Sequence, residues 1–220
     1  MARSYQQFCP VARTLEVIGN KWSLLIVRDL LGGPQRFTDL IRRLSNITPK
    51  WLTLRLRELE TAGLVERDKH PGRREVWYHL TAAGRDLAPV VGALASWGFQ
   101  HAMWPPQPGE AIDAERTMNS VEFSLNRRNR RLSQPAAWLV HFTNGESYTL
   151  SFDGDRWSTR QGEEANPDVT VTTNPEIWAT FLTVERSERG RLARAMQING
   201  TPERVREFLY TLGVRDDTAK

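Results

Sequence analysis

Apolar positions recur with a helical period along the first hundred residues. Val11 to Ile18, centred on Leu15, ends at Gly19-Asn20, a helix-stop signal. Lys21 to Leu31 carries Trp22, Leu24, Leu25, Ile26, Leu30 and Leu31. It is apolar nearly all round, as a buried helix is, and Gly32-Gly33-Pro34 breaks it. From Arg36 to Leu44, Phe37, Leu40, Ile41 and Leu44 follow the i, i+3, i+4, i+7 spacing of one helix face. A short turn, Ser45-Asn46-Ile47, leads to Thr48-Pro49, an N-cap followed by a first-turn proline. The predicted helix runs from Lys50 to Glu60 with Leu52, Leu56 and Leu59 inward, while Thr53, Arg57 and Glu60 fall off that stripe. Gly63 closes it. Two strands follow, Leu64–Arg67 and Glu75–Leu80, joined by a segment with a Pro-Gly turn signal and the cationic side chains Lys69, His70, Arg73 and Arg74. Thr81 then caps what reads as one long helix through Leu87, Val90, Val91, Leu94 and Trp97.

Three prolines and a glycine in Pro105–Gly109 exclude helix interior and mark a boundary. Ile112 to Arg131 reads as a helix capped near Asp113, and its closing run Arg127, Arg128, Arg130 and Arg131 suits a helix C-terminus. Beyond Pro135 the period becomes two. Trp138–Phe142 and Ser147–Phe152 form a hairpin around Asn144-Gly145, with Val169–Thr172 a further strand. Asn174-Pro175 and Thr201-Pro202 open two helices, with a short strand at Met196–Asn199 between them. The expected organisation is a domain over 1–104, a Pro-rich linker over 105–111 and an α+β domain over 112–220.

Composition narrows the class. Apolar residues make up 40% of the chain, with eight Trp and eight Phe, enough for buried cores. The net charge of +4 is unevenly spread: residues 1–105 hold 15 Lys/Arg against 9 Asp/Glu, and residues 106–220 hold 15 against 17. Only the front half therefore suits a polyanion. The single cysteine, Cys9, permits no intrachain disulfide, and no apolar run has the length of a signal peptide core or membrane span. A cytoplasmic protein with no membrane partner is expected.

Helix, turn, capped helix and cation-tipped hairpin over 36–80 match the parts of a DNA reader. The first helix crosses the backbone, the second enters the major groove, and the hairpin reaches neighbouring phosphates or the minor groove. The expected DNA contacts are Arg36, Thr38, Thr48, Lys50, Thr53, Leu54, Arg55, Arg73 and Arg74. Arg57 is expected to be an ordinary solvated side chain crowded by Glu58 and Glu60.

The run Cys9-Pro10-Val11, Ile18-Gly19-Asn20-Lys21-Trp22, Arg36-Phe37-Thr38-Asp39-Leu40, Leu56-Arg57-Glu58-Leu59-Glu60, Gly63-Leu64-Val65 and Tyr78-His79-Leu80-Thr81 closely resembles the HxlR family over roughly residues 8–100. These are bacterial winged helix-turn-helix transcription regulators related to MarR proteins. The resemblance implies a homodimer, joined by the helices flanking the winged helix, that reads a pseudo-palindromic double-stranded operator. Two departures stand out. Leu54 replaces a polar residue of the reading helix and can touch a thymine methyl, and Trp51 replaces a smaller apolar residue and is expected in the core. Cys9 matches a cysteine that some members use as a redox sensor. A lone cysteine also serves as a small buried apolar residue, and that packing role is the expectation here.

Residues 112–214 resemble, more loosely, the SCP-2 sterol-carrier-like fold, an antiparallel-rich sheet covered by helices. The resemblance rests on Tyr148–Gly154, Pro167–Thr172 and Ile198–Glu203. It implies an apolar cavity for a small hydrophobic or aromatic effector. Trp138, His141, Phe142, Tyr148, Phe152, Trp157, Trp178, Phe181 and Phe208 are the candidate lining, and the same aromatics could equally fill a core. No catalytic motif, cofactor fingerprint or metal-ligand spacing is present, so no enzyme, cofactor or metal is expected. The expected function is an effector-modulated DNA-binding regulator, a repressor. The alternatives are a regulator whose second half only dimerises, and a lipid or small-molecule carrier whose winged helix binds protein.

Overall fold

The structure, a computed structural model, describes residues 4–69 and 75–214. The chain divides into two compact units, residues 1–102 and 103–220, each with its own core.

In the first unit, α1 (Pro10–Ile18) and α2 (Ser23–Leu31) precede a two-residue strand, β1 (Gln35–Arg36). Then come α3 (Phe37–Arg43), α4 (Pro49–Thr61), β2 (Val65–Lys69) and β3 (Val76–Leu80). The strands form an antiparallel sheet in the order β1-β3-β2, with Arg36 opposite Trp77 and Val65 opposite Leu80. Ile26, Val27, Leu30, Leu40, Leu52, Leu56, Leu59, Val65 and Leu80 make one buried cluster. This is a winged helix-turn-helix.

The expected long helix after Thr81 is two: α5 (Ala82–Arg85) and α6 (Ala88–His101). Pro89 explains the break, because it has no N–H to give and fits only the first turn of a new helix. Thr81 Oγ1 accepts from Gly84 N at 3.1 Å and donates to the Gly63 carbonyl at 2.6 Å, tying α5 to the end of α4.

The second unit contains α7 (Ala114–Arg127), β4 (Ala136–Phe142), β5 (Ser147–Phe152), β6 (Trp157–Gln161) and β7 (Val169–Thr173). It continues with α8 (Pro175–Thr183), α9 (Arg186–Ala193), β8 (Gln197–Gly200) and α10 (Pro202–Thr211). The sheet order is β6-β5-β4-β7-β8, antiparallel except for the central β4–β7 pair. Trp138, Val140 and Phe142 of β4 and Tyr148, Leu150 and Phe152 of β5 point to one face. There they join Met118, Val121 and Leu125 of α7, Trp178 and Phe181 of α8 and Phe208 of α10 in one core. Helix α9 escapes the periodicity argument because its sequence, RSERGRLA, has almost no apolar face.

Candidate nucleic-acid interface

Local rules place α4. Thr48 Oγ1 accepts from Trp51 N at 3.3 Å, and Pro49 occupies the first turn. At the other end Leu64 N donates to Leu59 O at 2.9 Å and Gly63 N to Glu60 O at 3.0 Å, with Gly63 at φ +70°. That bond pair is a Schellman motif, which needs a left-handed residue at the position Gly63 fills. Before α4 the chain reverses through Ser45 and Asn46, both at positive φ (28° and 60°).

Leu52, Leu56 and Leu59 fix which side of α4 is buried. At about 100° per residue, Lys50, Leu54 and Arg57 point the opposite way, with Trp51 at the edge of that face. All four are exposed, Trp51 at 49% and Leu54 at 41%. Trp51 is thus no core residue, contrary to the expectation from its size and apolarity. Its place one step beyond Leu52's stripe, next to Leu54, was the signal that size obscured.

The other expected contacts are differently disposed. Thr38 is exposed on α3. Thr48 uses its hydroxyl as the cap, and Thr53 Oγ1 donates back to the Pro49 carbonyl at 2.8 Å. Arg36 pairs through Nε with Asp39 Oδ2 at 3.0 Å and through Nη1 with Glu75 Oε1 at 2.9 Å, and its guanidinium lies 5.4 Å from the Trp77 ring centroid. Those carboxylates, Asp39 first, hold the Arg36 guanidinium even more firmly protonated than usual. Arg55 is the clearest departure. It lies on the buried side at 9% exposure, pairs with Glu58 one turn on, and sits 5.5 Å from the Trp51 ring centroid. Its guanidinium serves its own helix. The crowding expected around Arg57 is also absent, since Glu58 goes to Arg55 and Glu60 Oε1 to Arg67 Nε at 3.4 Å. Arg73 and Arg74 lie outside the described residues.

Comparison with known proteins identifies this architecture. The HxlR-like helix-turn-helix profile matches residues 17–105. The uncharacterized HTH-type transcriptional regulator YybR of Bacillus subtilis (strain 168) is 43% identical over 91 residues, which span 41% of this chain and 73% of that protein. A counterpart from Methanothermobacter thermautotrophicus is 36% identical over 106 residues, or 48% of this chain and 81% of that one. The chain belongs to the HxlR-like helix-turn-helix family. Among solved structures, the redox regulator HypR in its reduced form is 41% identical, with a TM-score of 0.40, covering 42% of this chain and 92% of that one.

Within the HxlR-like unit, Cys9 is partly buried at the N-cap position of α1, where its carbonyl accepts from Arg13 N at 3.0 Å and its side chain makes no capping bond. The second unit lies beyond the family match from residue 106 onward. Its candidate lining residues form the core, ring against ring. Trp138 stands 4.7 Å from Trp157 and 5.0 Å from Phe208, Phe152 is 5.1 Å from Trp157, and Phe142 is 6.1 Å from Tyr148. Trp178 stacks on Phe181 at 5.9 Å. Tyr148 donates its hydroxyl to Glu146 at 3.3 Å, and burial pushes its phenol well above the usual value. His141 does not belong with this set. It alternates to the other face of β4 and bonds Ser147 Oγ through Nδ1 at 2.9 Å. Residue parity alone separates it from Trp138 and Phe142. Among the described residues no cluster of three or more metal-ligating side chains occurs, and no helix is long and apolar enough to cross a membrane.

Proposed function

We propose that the chain is a DNA-binding transcriptional regulator that acts as a homodimer on a pseudo-palindromic operator. The observation carrying this reading is α4, a capped helix whose buried side is fully used and whose free side presents Lys50, Trp51, Leu54 and Arg57. Relatives named as HTH-type transcriptional regulators support it. The contact set we assign is Thr38, Lys50, Trp51, Leu54 and Arg57, with the helix N-terminus facing phosphate. Arg36 and Arg55 are assigned to hold the reading helices, and Thr48 and Thr53 to shape α4.

A homodimer is supported by the apolar faces left open on flanking helices. Val11 and Leu15 of α1 and Val90, Leu94 and Trp97 of α6 are exposed. Patches of this kind mark interaction surfaces. A dimer seated on promoter DNA excludes polymerase, so repression is the sense of regulation we assign.

We assign the second unit the role of an SCP-2-like effector module. Two observations favour this role. One face of its sheet packs on helices around an apolar core, and the indole N–H groups of Trp138 and Trp178 are buried with no hydrogen-bond partner among the described residues. Buried donors are seldom left unpaired, and a carbonyl or hydroxyl of a small apolar molecule would satisfy them.

A gel shift at two salt concentrations, using DNA upstream of the protein's own and neighbouring genes, tests the regulator reading. A discrete, salt-sensitive complex on one fragment is expected, and hydrophobic compounds are then screened for its release. Failure to form a specific complex on any fragment, with and without those compounds, would overturn the assignment.

A further inference from the structure

We propose that Trp51 and Leu54 together form an apolar base-reading tip on α4, which recognises the 5-methyl groups of thymine in the major groove. This inference rests on the DNA-binding reading above and specifies what its reading helix selects.

The free face of α4 is poor in side chains for hydrogen-bond readout in its first two turns. Sequence readout by hydrogen bonds uses Arg or Lys on guanine, Asn or Gln on adenine, and carboxylates on cytosine. The arginine that sequence alone would assign to this task, Arg55, is buried and paired with Glu58. The Thr53 hydroxyl is turned back to donate to the Pro49 carbonyl at 2.8 Å, and Thr48 Oγ1 is held at the cap by the N–H of Trp51. In the first two turns, the large side chains left facing outward are Lys50, Trp51 and Leu54. Two of the three are apolar. The feature a base edge offers to an apolar side chain in the major groove is the thymine methyl.

Trp51 is held for this use. It lies in the first turn of α4, the part of a recognition helix that meets base edges. The Arg55 guanidinium rests 5.5 Å from its ring centroid and is itself fixed by Glu58, so the indole is braced from behind by a side chain that is anchored. A braced aromatic loses little rotamer freedom on binding, which lowers the cost of burying it in a groove. Leu54, at i+3 from Trp51, extends the same apolar surface along the helix. Exposed Lys50 and Arg57 flank this surface and match it to a polyanion rather than to an apolar protein face.

The test selects bound duplexes from a random library with the full chain, then replaces each thymine of the best duplex, singly, with deoxyuridine. That change removes one methyl and leaves every base-pairing group in place. Selected half-sites are expected to contain thymine. One or two of the replacements are expected to weaken wild-type binding about fourfold each, the factor a buried methylene-sized group is worth. Trp51→Ala is expected to bind more weakly and to lose the distinction between thymine and deoxyuridine at one position, Leu54→Ala at a neighbouring one. Neither variant is expected to change the slope of log affinity against log salt, because neither removes a phosphate contact. Trp51→Phe, which keeps an apolar ring, is expected to retain part of the discrimination, and thermal melts of all three variants exclude misfolding as the cause. Specific binding that is indifferent to every thymine-to-deoxyuridine change overturns the proposal and leaves the regulator reading standing. A Trp51→Ala variant with altered oligomeric state but unaltered discrimination also overturns it, and assigns the patch to protein contact. Absence of any sequence selection overturns both.

Discussion

Asp39 does three jobs at the start of α3. Its Oδ2 accepts from Arg36 N at 3.2 Å and from Arg36 Nε at 3.0 Å, and its Oδ1 accepts from Arg42 Nη2 at 3.1 Å. The first bond caps an orphan helix N–H and the others neutralise the carboxylate. The hydrogen bond from the Arg36 side chain is the largest cause holding the Asp39 carboxyl below the usual carboxylate range, against a smaller opposing effect of burial. A folded-state pKa below the unfolded one means the stabilisation is complete above the unfolded value. It is lost as pH falls through the folded value. Asp39→Asn is therefore expected to cost about 1 kcal/mol at neutral pH, the usual scale for a helix cap. In urea melts the gap to wild type should close on acidification. A gap that stays constant with pH would show that Asp39 acts through shape and not charge. The spacing of Phe37, Leu40, Ile41 and Leu44 predicts a helix over Arg36–Leu44, and the structure forms it over Phe37–Arg43 with Arg36 as its N-cap. What could not be read was Arg36's commitment to Asp39 and Glu75, because Glu75 lies 39 residues away and meets Arg36 only through the β1–β3 pairing.

At the scale of elements, turn chemistry and period located most of the first unit. The α4 limits at Pro49 and Thr61 follow from Thr48-Pro49 and Gly63, residues whose backbone demands are local. Local signals failed where a contact, not a propensity, decided the outcome. Arg55 turned inward because Glu58 and Trp51 could hold its guanidinium, and α9 formed without an apolar stripe of its own. The base of the wing is the most demanding junction. A Cβ at Gly84 would stand 2.1 Å from the Leu64 carbonyl oxygen and 3.1 Å from the Leu80 side chain. Backbone cannot yield that distance without moving α5 off the strand pair. Gly84→Ala is accordingly expected to destabilise the first unit by about 1–3 kcal/mol or more, the range for overpacking a closed site. It should also weaken DNA binding, since α5 anchors both wing strands through Thr81. Thermal melts and gel shifts of the same variant check both expectations. A melt unchanged from wild type would mean that this junction is looser than the close approach of α5 and Leu64 implies.

For the whole molecule, the question is which cations meet DNA. Positive charge is in excess only over residues 1–105, yet the second unit holds a dense run, Arg127, Arg128, Arg130 and Arg131, that resembles a phosphate-binding strip. The geometry gives that run another use. Arg127 and Arg128 close α7, where the carbonyl ends attract cations, and Arg131 pairs with Asp155 at 2.7 Å. Lys50, by contrast, stands exposed in the first turn of α4, and Arg57 is exposed two turns along the same face. Each phosphate contact releases condensed counterions, so its removal lowers the slope of log affinity against log salt by about one per contact in duplex DNA. Lys50→Ala and Arg57→Ala are each expected to reduce the slope by about one per protomer, or about two for a dimer. Arg128→Ala is expected to leave it unchanged. The reading helix acts alone in phosphate binding only if these outcomes separate. A slope that falls equally for Arg128→Ala would bring the second unit onto the DNA as a further source of phosphate contacts.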